Sequence, residues 1–158
     1  MIQSKANFDN NVSLNERLIS KSVKHFCHPQ VYPNFLKNLL KTRSKKKIRR
    51  IGCTDSSDGL FQALQDLAIA SNCKAIINYE KIPKDKDWPE GDKWDEYYFF
   101  GGEDYELVFA LPEKWAKNLT KLDRDINEIG FFADGEPSLE FKDSKKNKLF
   151  NNTPYKHF

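Results

Sequence analysis

The chain has 158 residues, 39% hydrophobic and 31% charged, which is the composition of a globular protein and excludes a disordered one. Its 26 basic and 23 acidic residues leave a net charge of +3, so binding to polyanions would require local clustering of basic residues. The sequence contains three widely spaced cysteines and no signal-peptide pattern, and no apolar run approaches the ~20 residues that span a bilayer. These features predict a cytoplasmic protein with no membrane partner.

The first 28 residues are predicted to be a polar tail and one helix, ahead of a domain of residues 29–158. Ser13 and Glu16 have the spacing of a capping box, which predicts a helix over residues 13–26. Because proline disfavours helix in the residue before it, this helix should end ahead of Pro29. Its apolar stripe is predicted to comprise Leu14, Leu18, Val23 and Phe26.

A second helix and a basic run come next. Seven of the ten residues from Lys41 to Arg50 are basic. Such a run is usually a solvated loop, and without a nucleic-acid motif or interleaved aromatic residues we do not expect nucleic-acid binding. A supporting contact to nucleotide phosphates remains open. The helix before it is predicted to begin at Pro33 and to bury Phe35, Leu36, Leu39 and Leu40.

Two acids lie between a predicted strand, Ile48–Thr54, and a predicted helix, Leu60–Ser71. A strand-to-helix turn can aim the carboxylates of Asp55 and Asp58 into one space, and oxygen ligands suit Mg²⁺. The hydroxyl of Ser57 lies beside the helix N-terminus, which favours a phosphate. The alternative is an ordinary helix start with Ser57 or Asp58 as the N-cap, the commoner use of so short a string.

A second predicted strand, Lys74–Tyr79, completes a strand, helix and strand unit of the kind that usually forms a crossover on one sheet. Asp55 and Asp58 then lie at the carboxyl end of a strand, where open α/β sheets bind ligands. Residues 83–96 contain prolines, a glycine and alternating charges, and are predicted to be a loop that can continue into a helical turn through residues 97–98.

Three further elements are predicted near the C-terminus. A strand should present one apolar face made of Tyr105, Leu107, Phe109 and Leu111. A helix is expected from Pro112 to Gly130, with a buried side made of Trp115, Leu119, Leu122, Ile126 and Ile129. A hairpin is expected from Phe131–Ala133 and Leu139–Phe141, around the turn residues Asp134, Gly135, Glu136 and Pro137.

A second acidic string, Gly-Gly-Glu-Asp-Tyr-Glu-Leu at 101–107, holds more acid than a turn needs. Together with Asp-Ser-Ser-Asp-Gly-Leu at 55–60, it resembles the thiamine-monophosphate kinase family of the aminoimidazole ribonucleotide synthetase superfamily. The resemblance runs from about residue 29 to residue 158 and covers the C-terminal half of that enzyme. It implies an α/β (α+β) fold with a mixed β-sheet packed with helices, similar to the C-terminal domain of aminoimidazole ribonucleotide synthetase.

The resemblance also implies an activity, the ATP- and Mg²⁺-dependent phosphorylation of thiamine monophosphate to thiamine diphosphate. By motif position, Asp55 and Asp58 are expected to bind Mg²⁺ and Ser57 to contact ATP. Glu103 and Phe158 are expected to contact the substrate. No catalytic residue is expected, because direct transfer between two phosphates depends on metal ions and fixed donors more than on a protein nucleophile.

Most Mg²⁺-binding aspartates of the family belong to an N-terminal half that nothing ahead of Ser13 supplies. We therefore expect the chain alone to lack appreciable kinase activity and to need that half as a partner, with a homodimer open for the full enzyme. The alternative is a non-catalytic binding or scaffold module of the same superfamily. Asp104 and Glu106 are expected only to shape the turn, and the histidines, at 25, 28 and 157, to be surface or loop residues.

Overall fold

A computed structural model describes residues 15–28, 33–42, 51–143 and 146–147. The helices are α1 (Glu16–Cys27), α2 (Pro33–Thr42), α3 (Leu60–Ser71), α4 (Asp92–Phe100) and α5 (Glu113–Leu122), with a short 3-10 helix at Tyr79–Lys81. The strands are β1 (Gly52–Asp55), β2 (Lys74–Ile77), β3 (Leu107–Ala110), β4 (Gly130–Ala133) and β5 (Ser138–Phe141). Ser13, residues 43–50, His157 and Phe158 lie outside the described residues.

The described strands form two sheets. β1 pairs antiparallel with β3, and a separate three-stranded sheet has the order β4-β2-β5. Within it β2 pairs antiparallel with β4 and parallel with β5. Helix α3 packs against strands of both sheets. This mixed β-structure with packed helices confirms the predicted α/β (α+β) class.

The predicted crossover on one sheet is wrong, because β1 and β2 belong to different sheets. Each strand takes its partners from later in the chain: Cys53 pairs with Phe109, and Ala75 with Phe132 and Leu139. Apolar patterning identifies a strand by its buried face, but its hydrogen-bond partner depends on contacts that are remote in sequence.

The predicted hairpin is also wrong, since β4 and β5 flank β2 instead of pairing with each other. Residues 134–137 pass the end of β2, where Lys74 pairs with Ala133 on one side and Ser138 on the other. Ala75 and Ile77 of β2 are almost fully buried, which suits a central strand. Residues 134–137 do connect β4 to β5, but these two strands lie on opposite sides of β2.

Helix α5 ends at Leu122, well before the predicted Gly130. Asp123 adopts an extended backbone, and its carboxylate accepts hydrogen bonds from the Asp125 N–H at 3.2 Å and from Asn38 Nδ2 at 3.0 Å. Such side-chain acceptors compete with helical hydrogen bonding. Leu122 is consequently half-exposed, although it was predicted to be buried.

The predicted loop at residues 83–96 is wrong over residues 92–96, because α4 already begins at Asp92, after Gly91, whereas the expected helical turn at residues 97–98 does lie within α4. In this helix Phe99 is completely buried and Asp95 is almost completely buried. A buried charge on the inner side of a helix breaks the expected apolar pattern, so the sequence favoured a loop.

The first two helices lie where they were expected, but their buried faces are narrower than predicted. In α1, Asn15 is the N-cap and its side chain accepts from the Arg17 N–H at 2.9 Å. Four residues of these helices that were predicted to be buried are exposed: Val23, Phe26, Leu36 and Leu40. The same is true of Tyr105, which precedes β3, and of Leu107, which begins it. Leu18 and Leu39 are buried as predicted.

Two buried clusters hold these elements together. One comprises Phe61, Leu64, Ile77, Ile82, Phe99 and Phe141, and it fixes α3 and α4 against β2 and β5. The other comprises Leu39, Trp115 and Leu119, where the Trp115 indole N–H donates to the Leu39 carbonyl at 2.9 Å. The first cluster positions the two helices whose ends carry the acidic strings.

No helix in the described ranges is long and apolar enough to cross a bilayer.

Candidate functional site

The two acidic strings meet at one end of the β1–β3 pair. Asp55 ends β1 and pairs with Leu107, which begins β3. The segment that leaves β1, Asp55–Gly59, is here named the acidic turn. The segment that enters β3, Gly101–Glu106, is named the glycine-acid loop. Because β1 and β3 are antiparallel, these two segments lie side by side.

Three hydrogen bonds join the acidic turn to the glycine-acid loop. The Ser56 N–H donates to the Glu106 carbonyl at 2.9 Å, and the Glu106 N–H donates to Ser56 Oγ at 3.1 Å. The Glu103 N–H donates to the Ser57 carbonyl at 2.8 Å. Glu103 is therefore held against the turn that carries Asp55 and Asp58.

Glycine permits this approach of two backbones. A Cβ on Gly102 would lie 2.3 Å from the Ser57 carbonyl oxygen, closer than any real contact. Gly59 has a φ of 94°, and a Cβ there would lie 3.0 Å from the carbonyl oxygens of Phe99 and Gly101. The glycines of both strings thus serve the junction itself.

The glycine-acid loop contains two non-glycine residues with left-handed backbone, Glu103 at φ 69° and Tyr105 at φ 54°. This region costs a residue with a Cβ roughly 1–2 kcal/mol, so the surrounding contacts must maintain it. One such contact is internal, because the Tyr105 hydroxyl donates to Glu103 Oε2 at 2.7 Å. The strain falls on the residue predicted to contact substrate.

Hydrogen bonds and nearby charges shift the pKa values of Asp55 and Tyr105, one in each of the two segments. Hydrogen bonds from Ser57 hold the pKa of Asp55 below its usual value, and the Ser57 N–H lies 3.0 Å from Asp55 Oδ1. The pKa of Tyr105 is raised, first by its hydrogen bond to Glu103 and further by the charges of Asp55 and Asp58. Negative potential therefore gathers where the two segments meet.

Ser57 and Asp58 do not cap α3, which excludes the ordinary capping alternative. Gly59 occupies the N-cap position, and no side chain accepts a hydrogen bond there. Asp55, Asp58 and Glu103 are exposed to solvent, and Ser57 is partly exposed. The acids are thus accessible beside a helix N-terminus that attracts anions.

The oxygen donors suit a hard cation, but they do not form a complete site. Asp55 and Asp58 offer the carboxylate oxygens that Mg²⁺ prefers. In the part of the chain that the structure describes, however, no three histidine, cysteine, aspartate or glutamate side chains group as metal ligands. Asp55 and Asp58 therefore offer oxygen donors for a cation without a complete ligand set among the described residues.

The sequence did not reveal two residues that shape the site. Ser56, 4% exposed, provides the buried hydroxyl and backbone groups that hold Glu106. His25 was expected to be an ordinary surface or loop histidine, yet it is only partly exposed and its Nε2 lies 3.2 Å from the Asp104 carbonyl oxygen. A signal for His25 was its position four residues after Lys21 and eight after Arg17, which puts all three on one face of a helix.

Of the residues predicted to bind ligands, the structure brings Asp55, Ser57, Asp58 and Glu103 to one place. Phe158 lies outside the described residues. The backbone groups of Asp104 and Glu106 take part in the loop's hydrogen bonds, in agreement with their expected role in shaping the turn.

Comparisons with known proteins give a consistent result, although no protein-family model matches the sequence. A thiamine-monophosphate kinase from Prochlorococcus marinus is 34% identical over 137 residues, which cover 87% of this chain and 41% of that protein. One from Nitrosopumilus maritimus is 31% identical over 144 residues, which cover 89% of this chain and 44% of that protein.

A solved structure described as "AaThiL complexed with AMPPCP and TMP" matches with a TM-score of 0.56 and 26% identity, covering 80% of this chain and 39% of that one. The predicted fold and family resemblance are thereby confirmed. The chain spans less than half the length of the relatives that it matches. Over most of its length the chain is thus similar to part of the thiamine-monophosphate kinases, a family of phosphotransferases.

Proposed function

We propose that this chain is the C-terminal part of a thiamine-monophosphate kinase, which transfers a phosphoryl group from ATP to thiamine monophosphate and forms thiamine diphosphate. Asp55 and Asp58 take part in Mg²⁺ binding, Ser57 contacts ATP, and Glu103 and Phe158 contact thiamine monophosphate. The observation that carries the proposal is the hydrogen-bonded junction of the acidic turn and the glycine-acid loop, which puts the proposed metal and substrate residues side by side.

The electrostatics of this junction support phosphoryl transfer. Two anionic phosphates must approach each other, and Mg²⁺ supplies charge neutralisation and an electrophile when it is bound. Hydrogen bonds from Ser57 lower the pKa of Asp55, which favours the ionised form of this carboxyl group. An ionised carboxylate can hold a cation without first losing a proton.

The other residues would bind and orient the two substrates. Ser57 lies beside the N-terminus of α3, which has no side-chain cap, so the helix N–H groups there can donate to a phosphate that contacts Ser57. Glu103 is held by the Ser57 carbonyl and by the Tyr105 hydroxyl. Fixing its carboxylate in advance reduces the entropy lost when substrate binds.

The remaining ligands would come from the portion of the kinase that this chain does not cover. The matched relatives are more than twice as long as the aligned part, and Asp55 and Asp58 form no three-ligand group with other described residues. We infer that an N-terminal half completes the site and that the assembled enzyme can be a homodimer. Three cysteines that form no disulfide are in keeping with a cytoplasmic location.

The first test is an activity assay on the purified 158-residue chain. Incubated with ATP, Mg²⁺ and thiamine monophosphate, it should form no appreciable thiamine diphosphate, because the N-terminal half proposed to supply the remaining metal ligands is not in the assay. Turnover at an ordinary kinase rate of about 1 per second or faster would contradict the need for a second half.

The second test separates a surviving substrate site from a scaffold. Calorimetric titration should detect weak binding of thiamine monophosphate that is lost in Glu103→Ala. The matched control is Glu136→Ala, an exposed glutamate in the link between β4 and β5, which should leave binding unchanged. No binding to the wild type would favour the alternative, a non-catalytic scaffold of the same superfamily.

A further inference from the structure

Helix α1 presents a polar stripe made of Arg17, Lys21 and His25. These residues are spaced four apart, so they lie along one face of the helix. The stripe contacts two separate segments of the domain, the residues around Asp85 and the glycine-acid loop.

The first half of the stripe fixes the helix. Arg17 donates to Asp85 and Asp87, with 2.5 Å between donor and acceptor in each case, and Lys21 Nζ lies 2.6 Å from Asp85 Oδ2. The two acceptors are well shielded, with 13% and 22% of their side chains exposed. Leu18 on the same helix is buried. The end of α1 that carries His25 therefore has a defined position.

The second half of the stripe reaches the glycine-acid loop. His25 Nε2 lies 3.2 Å from the Asp104 carbonyl oxygen and 3.5 Å from Glu106 Oε1. A carbonyl oxygen can only accept a hydrogen bond, so Nε2 must carry the proton. The contact falls between Glu103 and Tyr105, the two residues with left-handed backbone.

This position is where the loop most needs support. The N–H of Glu103 and the backbone of Glu106 are bonded to the acidic turn, whereas the peptide of Asp104 lies between these ties and between the strained residues. A donor at the Asp104 carbonyl restricts rotation of the peptide that joins Asp104 to Tyr105.

We propose that His25 is a positioning residue for the substrate. Its imidazole, carried by the anchored α1, holds the Asp104 carbonyl and so keeps Glu103 in the backbone conformation that places its carboxylate beside the acidic turn. The proposal rests on the proposed function, in which Glu103 contacts thiamine monophosphate. His25 itself would touch neither the substrate nor the reacting phosphates.

The test measures amide hydrogen exchange in the whole chain, residue by residue. His25→Ala should speed exchange of the Glu103 and Glu106 amides roughly fivefold, the effect of losing about one net hydrogen bond. His25→Gln should restore the wild-type rates, because a glutamine Nε2 can donate to the same carbonyl. His28→Ala is the matched control, since His28 is exposed at the end of the same helix, and it should change nothing.

The amides of β2 report on the whole fold, and His25→Ala should leave their exchange unchanged. Unchanged rates at Glu103 and Glu106 would overturn the proposal. An equal acceleration in β2 would also overturn it, by showing a general loss of stability, and so would a failure of His25→Gln to restore the rates.

Binding of thiamine monophosphate separates this inference from the proposed function. Binding roughly fivefold weaker in His25→Ala and restored in His25→Gln supports the inference. Loss of binding in Glu103→Ala without any change in His25→Ala would overturn the role of His25 and leave the proposed function in place. Should Glu103→Ala bind as well as the wild type, the proposed function itself fails, while the exchange rates still decide whether His25 holds the loop.

Discussion

The chain contains two groups of acidic residues whose surroundings are opposite. Asp55, Asp58 and Glu103 are exposed, and the hydrogen bonds found at Asp55 and Glu103 come from neutral donors, Ser57 and Tyr105. Asp95 of α4 is only 2% exposed and is surrounded by cations. The first group keeps its charge accessible, whereas the second has its charge matched inside the protein.

The contacts of Asp95 satisfy both of its oxygens. Oδ1 accepts from the Tyr79 hydroxyl and from Lys84 Nζ at 2.7 Å, and Oδ2 accepts from Lys146 Nζ at 3.0 Å. Burial alone would raise the pKa of Asp95, but the hydrogen bonds from Lys84, Tyr79 and Lys146 outweigh it and lower the pKa. Both ammonium groups also lie over the Tyr79 ring, at 4.1 and 4.2 Å from its centroid.

The comparison teaches how to tell a structural acid from one available for chemistry. A buried carboxylate is tolerated only when partners replace its lost hydration, so its oxygens are already occupied by groups of the protein itself. Acids that gather at the surface with neutral donors keep oxygens for a cation from outside. Mutations in the two groups should therefore have opposite effects on stability and on ligand binding.

The largest expected effect is that of Asp95→Asn. Removing one partner of a buried ion pair typically costs about 3–5 kcal/mol, here because Lys84 and Lys146 would keep their charges without a counterion. Chemical denaturation should show a free energy of unfolding lower by that amount. Asp92→Asn, at an exposed position in the first turn of the same helix, is the control and should cost at most about 1 kcal/mol.

The wild type and Asp95→Asn should also differ in how their free energy of unfolding depends on pH. The pKa of Asp95 is lowered by folding, so its contribution is complete above the unfolded value of about 3.9 and is lost as the pH falls through the folded value. The stability difference between wild type and Asp95→Asn should be constant from neutral pH to about pH 5 and should shrink in more acidic solution. A difference that grew on acidification would contradict a lowered pKa.

An intermediate effect is expected at the junction of the exposed group. Ser56→Ala removes the acceptor of the Glu106 N–H, and losing this part-buried hydrogen bond should cost about 1 kcal/mol. Ser138→Ala is a matched control, because the Ser138 hydroxyl is buried without a hydrogen-bond partner in the described part of the chain. Thermal unfolding should show a clear loss for the first variant and little change for the second; equal losses would mean that the junction is not a stabilising contact.

Much of the fold could be predicted from periodicity. The helix of Leu60–Ser71 and the strand character of β2 follow from apolar spacing, and both were predicted close to their observed bounds. Strand pairing could not be predicted, because the insertion of β2 between β4 and β5 depends on long-range contacts and not on the turn residues at 134–137. Only the turn of α4 at residues 97–98 was predicted, and the rest was missed for a different reason, since its buried face includes Asp95, which pairs with Lys146 far away in sequence.

In the candidate site, the acidic residues could be predicted from the sequence, but the residues that support them could not. The spacing of Asp55 and Asp58 predicted one shared space for the two carboxylates, and the family resemblance added Glu103. The antiparallel pairing of β1 and β3 brings the two segments together. The supports of the site are hydrogen bonds between backbone and side chains, such as those of Ser56 and His25. Serine and histidine are too common for their presence alone to indicate such contacts.

The smallest effect on stability is expected for Asp55→Asn. An asparagine oxygen can still accept the Ser57 N–H, and residue 55 is exposed, so the free energy of unfolding should change little. The variant should nevertheless lose any stabilisation that added Mg²⁺ gives the wild type, because a ligand stabilises only the state that binds it. Asp134→Asn, at an exposed aspartate after β4, should keep that response. Thermal unfolding with and without Mg²⁺ measures both quantities, and an unaltered Mg²⁺ response in Asp55→Asn would mean that this carboxylate, although accessible, does not hold the ion.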